Sequence, residues 1–131
     1  MSSLIKTINY KSETAGSQFV NSLHHTGFAI LHHHPIDFHL ISTVYDEWEV
    51  FFNSDAKHDY TFNPATQDGY FPYRSENAKG YSAKDLKEFF QLYEWGKYPT
   101  NISKKAIFLY HELMYIGHTL LEWIDTHSPE N

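Results

Sequence analysis

The sequence predicts an α+β fold, helix-rich with a few short strands and a long C-terminal helix, and three observations carry that prediction. Three stretches repeat apolar residues at spacings of three and four, short apolar runs lack that period, and turn-forming residues separate them. At 131 residues the chain has the size of a single domain, 1–131, with one core. Its 41% hydrophobic and 18% aromatic content suits a folded chain, since disordered segments are poor in Phe, Tyr and Trp.

Leu4 to Tyr10 reads as a short extended start. Ser12 is placed to cap a helix whose Ala15, Phe19, Val20 and Leu23 share one face and which ends near His25. Gly27 breaks the period, and Phe28-Ala29-Ile30-Leu31 has the unbroken apolar character of a buried strand. Pro35 closes that run. Asp37 then stands at the N-cap of a helix carrying Ile41, Val44, Tyr45, Trp48, Phe51 and Phe52. Asn53-Ser54-Asp55 ends it and starts one more helical turn that exposes Lys57 and His58.

From Asn63 to Ser82 neither period persists, and Asn63, Pro64, Gly69, Pro72, Asn77 and Gly80 mark a long loop of the kind that carries function. The segment Asp85 to Trp95 fits a helix through Leu86, Phe89, Phe90 and Tyr93, and a strand through Phe89, Gln91, Tyr93 and Trp95. Ser82 and Asp85 have capping-box spacing, so the pattern alone favours the helix. After a turn at Gly96 to Thr100, Ser103 opens a long helix running to about Thr126. Its main apolar face is Ile107, Tyr110, Met114, Leu121 and Ile124, widened by Phe108, Tyr115 and Trp123. So wide a stripe calls for more than one packing surface.

A net charge of −6, with ten Lys and Arg spread thinly, leaves no basic stripe for nucleic acid or an anionic membrane surface. No apolar stretch approaches the roughly 20 residues that span a bilayer, and no basic start leads into an apolar run. The absence of cysteine removes disulfides, thiolate metal sites and thiol nucleophiles, and makes the cytoplasm the expected compartment.

The histidines are the first candidates for chemistry. If the strand continued through His32-His33-His34, His32 and His34 would point to one face and could share a metal, with His24, His25 and His39 nearby in sequence. The plainer reading makes them strand-end and loop residues, because a zinc site needs three or four ligands. His111-Glu112 begins like a zincin helix, but Tyr115 stands where the second histidine belongs. No His-x-Asp or His-x-Glu occurs, so the iron facial triad is absent, as are nucleophile elbows, phosphate loops and dinucleotide fingerprints. No residue is expected to be catalytic or a metal ligand. What remains is Gln67-Asp68-Gly69-Tyr70-Phe71-Pro72-Tyr73-Arg74, whose rings either wall a pocket or anchor the loop to the core.

Gly27-Phe28-Ala29-Ile30-Leu31-His32-His33-His34-Pro35-Ile36 resembles the opening stretch of isopenicillin N synthase-like 2-oxoglutarate/iron(II) oxygenases. His34 matches the family histidine, which is structural and not an iron ligand; Pro35, where plant and fungal members usually have Gly, looks more like a bacterial branch. The resemblance continues through Val44, Trp48, Phe51 and Phe52, the turn Gln67 to Pro72, and Asp85-Leu86-Lys87-Glu88-Phe89-Phe90-Gln91-Leu92, covering roughly residues 17 to 125 in order. The last block is similar to the family's strand before the jelly roll, so the resemblance favours a strand there.

In that family an N-terminal domain packs against a double-stranded β-helix, the jelly roll, which supplies the iron ligands and the 2-oxoglutarate site. The resemblance implies that this chain is the N-terminal domain only, stopping where the β-helix begins and not catalytic alone. Fe(II) and 2-oxoglutarate would then belong to the complete enzyme. Gln67, Tyr70, Phe71 and Tyr73 would help wall the substrate side, none touching iron. The partner would be a jelly-roll catalytic domain, or a second copy through the long C-terminal helix. The alternative is a non-catalytic binding or assembly module, dimeric through that helix, whose histidines bind metal.

Overall fold

The computed structural model describes residues 5–129, so Leu4 of the expected extended start lies outside the described residues. The order is β1 (Thr7–Asn9), α1 (Ala15–Thr26), β2 (Ile30–His32), α2 (Phe38–Phe52), a 3-10 helix (Asp55–Tyr60), β3 (Gly69–Phe71), β4 (Phe89–Gln91) and α3 (Lys105–His127). The fold is α+β, with two separate two-stranded sheets and, among the described residues, no closed barrel or jelly roll. The described residues gather into two units, one of residues 5–41 and 108–129 and one of residues 42–107.

In the first unit β1 and β2 are parallel, with Thr7, Ile8 and Asn9 opposite Ile30, Leu31 and His32. Parallel neighbours need a crossover, and α1 supplies it. Ile8, Ala15 and Phe19 form the buried centre, with Val20, Leu23, Leu31, Leu120 and Ile124 half-buried around them. Trp123 closes this core, its ring 5.2 Å from Tyr10 and 5.8 Å from Phe19. At Gly16 a Cβ would lie 2.8 Å from the His127 ring, so the missing side chain lets the end of α3 lie close to α1.

Several expectations change here. The helix starts at Ala15 because the Ser12 hydroxyl accepts the Thr14 N–H (3.3 Å) and closes a turn ahead of it. Ser22, off the expected face, is buried, and its hydroxyl donates to the Phe28 carbonyl at 2.7 Å. At the far end Gly27 takes φ 75° and its N–H donates to the Leu23 carbonyl (2.8 Å), the left-handed cap that glycine permits. Strand β2 starts two residues later than expected and is not buried. Leu31 packs on the core while Ile30 is 51% exposed, because the described residues cover only one face of this sheet.

Helix α2 begins as expected: the Asp37 Oδ1 accepts the His39 N–H at 2.9 Å. In the second unit Trp48 and Phe51 bring their rings to 5.0 and 5.8 Å from Phe90, whereas Tyr45 faces solvent. Lys57 is not exposed as expected, since its ammonium is drawn inward to the Phe52 carbonyl (2.7 Å). The strands β3 and β4 are antiparallel, Gly69, Tyr70 and Phe71 opposite Gln91, Phe90 and Phe89. No helix forms from Ser82; the Asp85 N–H donates instead to the Glu76 carbonyl (2.8 Å), and the strand implied by the resemblance forms.

The Ser103 hydroxyl accepts the Lys105 N–H (3.3 Å) and opens α3, which ends at His127. Its packed side overlaps the expected one only in part, through Ile107, Trp123 and Ile124. Ile116 is buried and Leu120, Trp123 and Ile124 are half-buried, while Tyr110, Met114 and Leu121 are exposed. Among the described residues no helix is long and apolar enough to cross a membrane.

Candidate functional site

The turn from Asn63 to Arg74 is held by its own backbone before any side chain joins in. Asn63 accepts the Gln67 N–H (2.7 Å), Gln67 takes φ 61°, and its side-chain amide donates to the Pro64 carbonyl (2.7 Å). Asp68 follows, buried, with the Thr66 hydroxyl on one carboxylate oxygen (2.5 Å) and the Lys97 N–H on the other (2.7 Å). Those donors, the Thr66 hydroxyl foremost, hold its carboxyl below the usual aspartate range. A side chain at Gly96 would lie 2.9 Å from the Asp68 Cβ, so this glycine lets the two turns meet.

Gly69 has φ 110°, and a Cβ there would sit 2.5 Å from the Tyr60 carbonyl oxygen. Only glycine fits both demands.

Beyond Gly69 the rings divide by burial. Tyr70 is 1% and Phe71 2% exposed. Phe71 lies between Phe62 and Phe89, stacked at 4.1 and 4.6 Å. The Tyr70 hydroxyl donates to Glu88 Oε2 (2.5 Å), which also accepts the Lys57 ammonium (2.9 Å). The Tyr70 phenol holds the Glu88 carboxyl below its ordinary range, the Glu88 bond raises Lys57, and burial raises Tyr70. Tyr73 is instead 51% exposed, with the Arg74 guanidinium 5.4 Å from its ring.

Of the four residues named from the sequence, then, Tyr70 and Phe71 are core and Gln67 and Tyr73 are exposed on the same turn. Sequence reasoning missed Asp68, Glu88 and Lys57. Asp68 and Gly69 were visible as a turn signal, but nothing local pairs Lys57 with Glu88, 31 positions away. Glu88 also borders a cleft of about 370 Å³ walled by Val44, Trp48, Phe52, Phe89 and Phe90.

The histidines do not form a centre. Strand β2 stops at His32, and His33 takes φ 57°, so the alternation needed to aim His32 and His34 at one ion is broken. The His34 Nδ1 is buried without a hydrogen-bond partner, and no group of three His, Asp or Glu side chains that could hold a metal exists among the described residues. The carboxylates of Asp68 and Glu88 are already occupied by protein donors. This donor set does not fit an iron site.

Known proteins place this architecture. The family model of the non-haem dioxygenase in morphine synthesis, N-terminal, matches residues 2–111. A crystal structure described as an oxygenase from Shewanella oneidensis is 39% identical over 97% of this chain and 44% of its own, with a TM-score of 0.85. A 2OG-Fe(II) oxygenase family protein from Caulobacter crescentus is 25% identical over 96% of this chain and 49% of its own, with a TM-score of 0.77. The chain thus spans a little under half the length of either structure. No curated protein matches it significantly. The fold, the order of its elements and the match over residues 2–111 together make this chain a member of the non-haem dioxygenase N-terminal family, an N-terminal domain of the 2OG-Fe(II) oxygenase type.

Proposed function

We propose that residues 1–131 form the substrate-side domain of an isopenicillin N synthase-like 2-oxoglutarate/Fe(II) oxygenase, and that this domain is inactive alone. The observation that carries the reading is a family match over residues 2–111 on a chain whose described residues hold no metal-binding group. Iron and 2-oxoglutarate would be held by a jelly-roll partner, where the oxidation chemistry takes place.

This chain's contribution is positioning. Asp68 and Gly69 lock the turn, Tyr70 and Phe71 root it in the core, and Gln67 and Tyr73 present an amide and a phenol on its outer side. An aromatic ring beside hydrogen-bonding groups is how a pocket wall selects and orients a ligand while excluding water. The negative charge and the lack of cysteine suit a cytoplasmic enzyme acting on a small molecule.

The test is turnover by the purified chain supplied with ferrous iron, 2-oxoglutarate and oxygen. No decarboxylation of 2-oxoglutarate is expected, and iron-dependent decarboxylation would overturn the proposal.

A further inference from the structure

We propose that the groove between α1 and the end of α3, within the first unit, is a binding site for a small organic acid with a hydrocarbon body. The groove holds about 560 Å³ and is bounded by residues 17–24 of α1 and 124–129 at the end of α3. Concave sites of about 300–1,000 Å³ that join an apolar lining to a few convergent polar groups are the usual form of small-molecule sites.

The groove begins in the sequence of α1. Ser17, Asn21 and His24 recur at spacings of four and three, so they share one side of the helix, with Val20 and Leu23 beside them. Ile124 of α3 joins these two, and the three half-buried aliphatic side chains form a floor that a hydrocarbon can cover. Each methylene group buried on such a floor favours binding about fourfold. The His127 ring supplies a wall from the other helix. It lies 2.8 Å from the place of a Cβ at Gly16, so the missing side chain there is what lets the imidazole rest on α1.

The polar rim offers donors. The Asn21 Oδ1 already accepts the Lys6 ammonium (3.3 Å), which leaves the amide N–H groups free to donate and sets a cation beside the groove. The imidazoles of His24 and His127 and the Ser128 hydroxyl line the same space, and among the described residues they have no hydrogen-bond partner. Ser17 differs, since its hydroxyl donates to the Thr14 carbonyl (3.0 Å). No Asp or Glu lines the groove. Uncommitted donors with no carboxylate of the chain to take them suit an acceptor, and a carboxylate is the strongest acceptor an organic ligand brings.

The experiment titrates octanoate into the purified chain, with octanol as its neutral counterpart, and follows both by amide NMR spectra. Octanoate should give saturable shifts confined to residues 17–24 and 124–128, with a Kd of about 1 mM or tighter, and octanol should bind at least about fivefold more weakly. Asn21→Leu, at an exposed helix position, removes a donor and should weaken octanoate about fivefold while leaving octanol unchanged. Ser17→Trp, also at an exposed position, should fill the groove and abolish both, with a melting temperature within about 2 °C of the unsubstituted chain. Octanol binding as tightly as octanoate would overturn the acid as the ligand class. Absence of saturable shifts, shifts scattered over other residues, or undiminished octanoate binding by folded Ser17→Trp would overturn the site. None of these outcomes depends on iron or 2-oxoglutarate, so failure here would leave the proposed function standing.

Discussion

Replacing Gly69 by alanine tests how the candidate turn is built. Two costs act together there. The residue holds φ 110°, a conformation that an L side chain reaches only at about 1–3 kcal/mol. The new methyl would also lie 2.5 Å from the Tyr60 carbonyl oxygen, which belongs to backbone and can yield only if the 3-10 helix and β3 move apart. Clashes of that kind add about 1–3 kcal/mol, so the sum is about 2–6 kcal/mol.

Gly27→Ala is the internal control, because Gly27 has φ 75° but a Cβ there meets nothing within 4 Å. It should cost only the left-handed conformation, about 1–2 kcal/mol. Urea unfolding of both variants, followed by tryptophan fluorescence, reads the difference. With a slope of about 2 kcal/mol per molar, Gly69→Ala should lower the midpoint by about 1–3 M and Gly27→Ala by less than about 1 M. Equal shifts would refute the claim that close approach of the Tyr60 carbonyl is why glycine stands at 69.

Tyr70→Phe leaves Glu88 one donor short and should cost about 1–2 kcal/mol; the double variant with Lys57→Met should be less than additive in the same urea assay, since all three groups share one network. Glu88 and Asp68 have depressed folded-state pKa values, so each contributes stability above its unfolded value that is lost as the pH falls through its folded one. Glu88→Gln should accordingly flatten the acid limb of a stability–pH curve below the usual carboxylate range, and an unchanged limb would contradict this. Lys57 and Tyr70 are both raised, so their share is complete at neutral pH and fades only as the pH climbs through their folded values. Ser22→Ala should destabilise by about 1 kcal/mol through the lost bond to the Phe28 carbonyl, measured by thermal unfolding. Tyr73→Ala should leave the melting temperature nearly unchanged, because the ring is half exposed, yet raise the KM of a complete enzyme containing this domain.

The sequence made the helices legible because their apolar spacing is local, and the caps at Asp37 and Ser103 stand where the residue types put them. Which face of α3 packs was legible only in part, since Trp123 and Ile124 belong to the expected stripe. Both sides of that helix are apolar, and the choice of Leu120, Trp123 and Ile124 over Tyr110, Met114 and Leu121 depends on partners distant in sequence. The strand at Phe89 was misjudged by periodicity because its pairing with Gly69–Phe71 overrides a helical pattern, and only the family resemblance pointed to it.

In the candidate site the turn was visible through Gly69 and Pro72, and its rings stood out beside it. Their division into buried Tyr70 and Phe71 and exposed Tyr73 was not readable, because it is fixed by Glu88, Phe62 and Phe89 across the fold. The histidine run looked most like chemistry, yet a single positive φ at His33 removes the geometry it needed.

Calorimetric titration of the purified chain with iron(II) tests most directly whether this domain lacks an active centre of its own. The account predicts no saturable binding, with or without 2-oxoglutarate. Tight one-to-one binding, lost when His32 and His34 are both replaced by alanine, would contradict it.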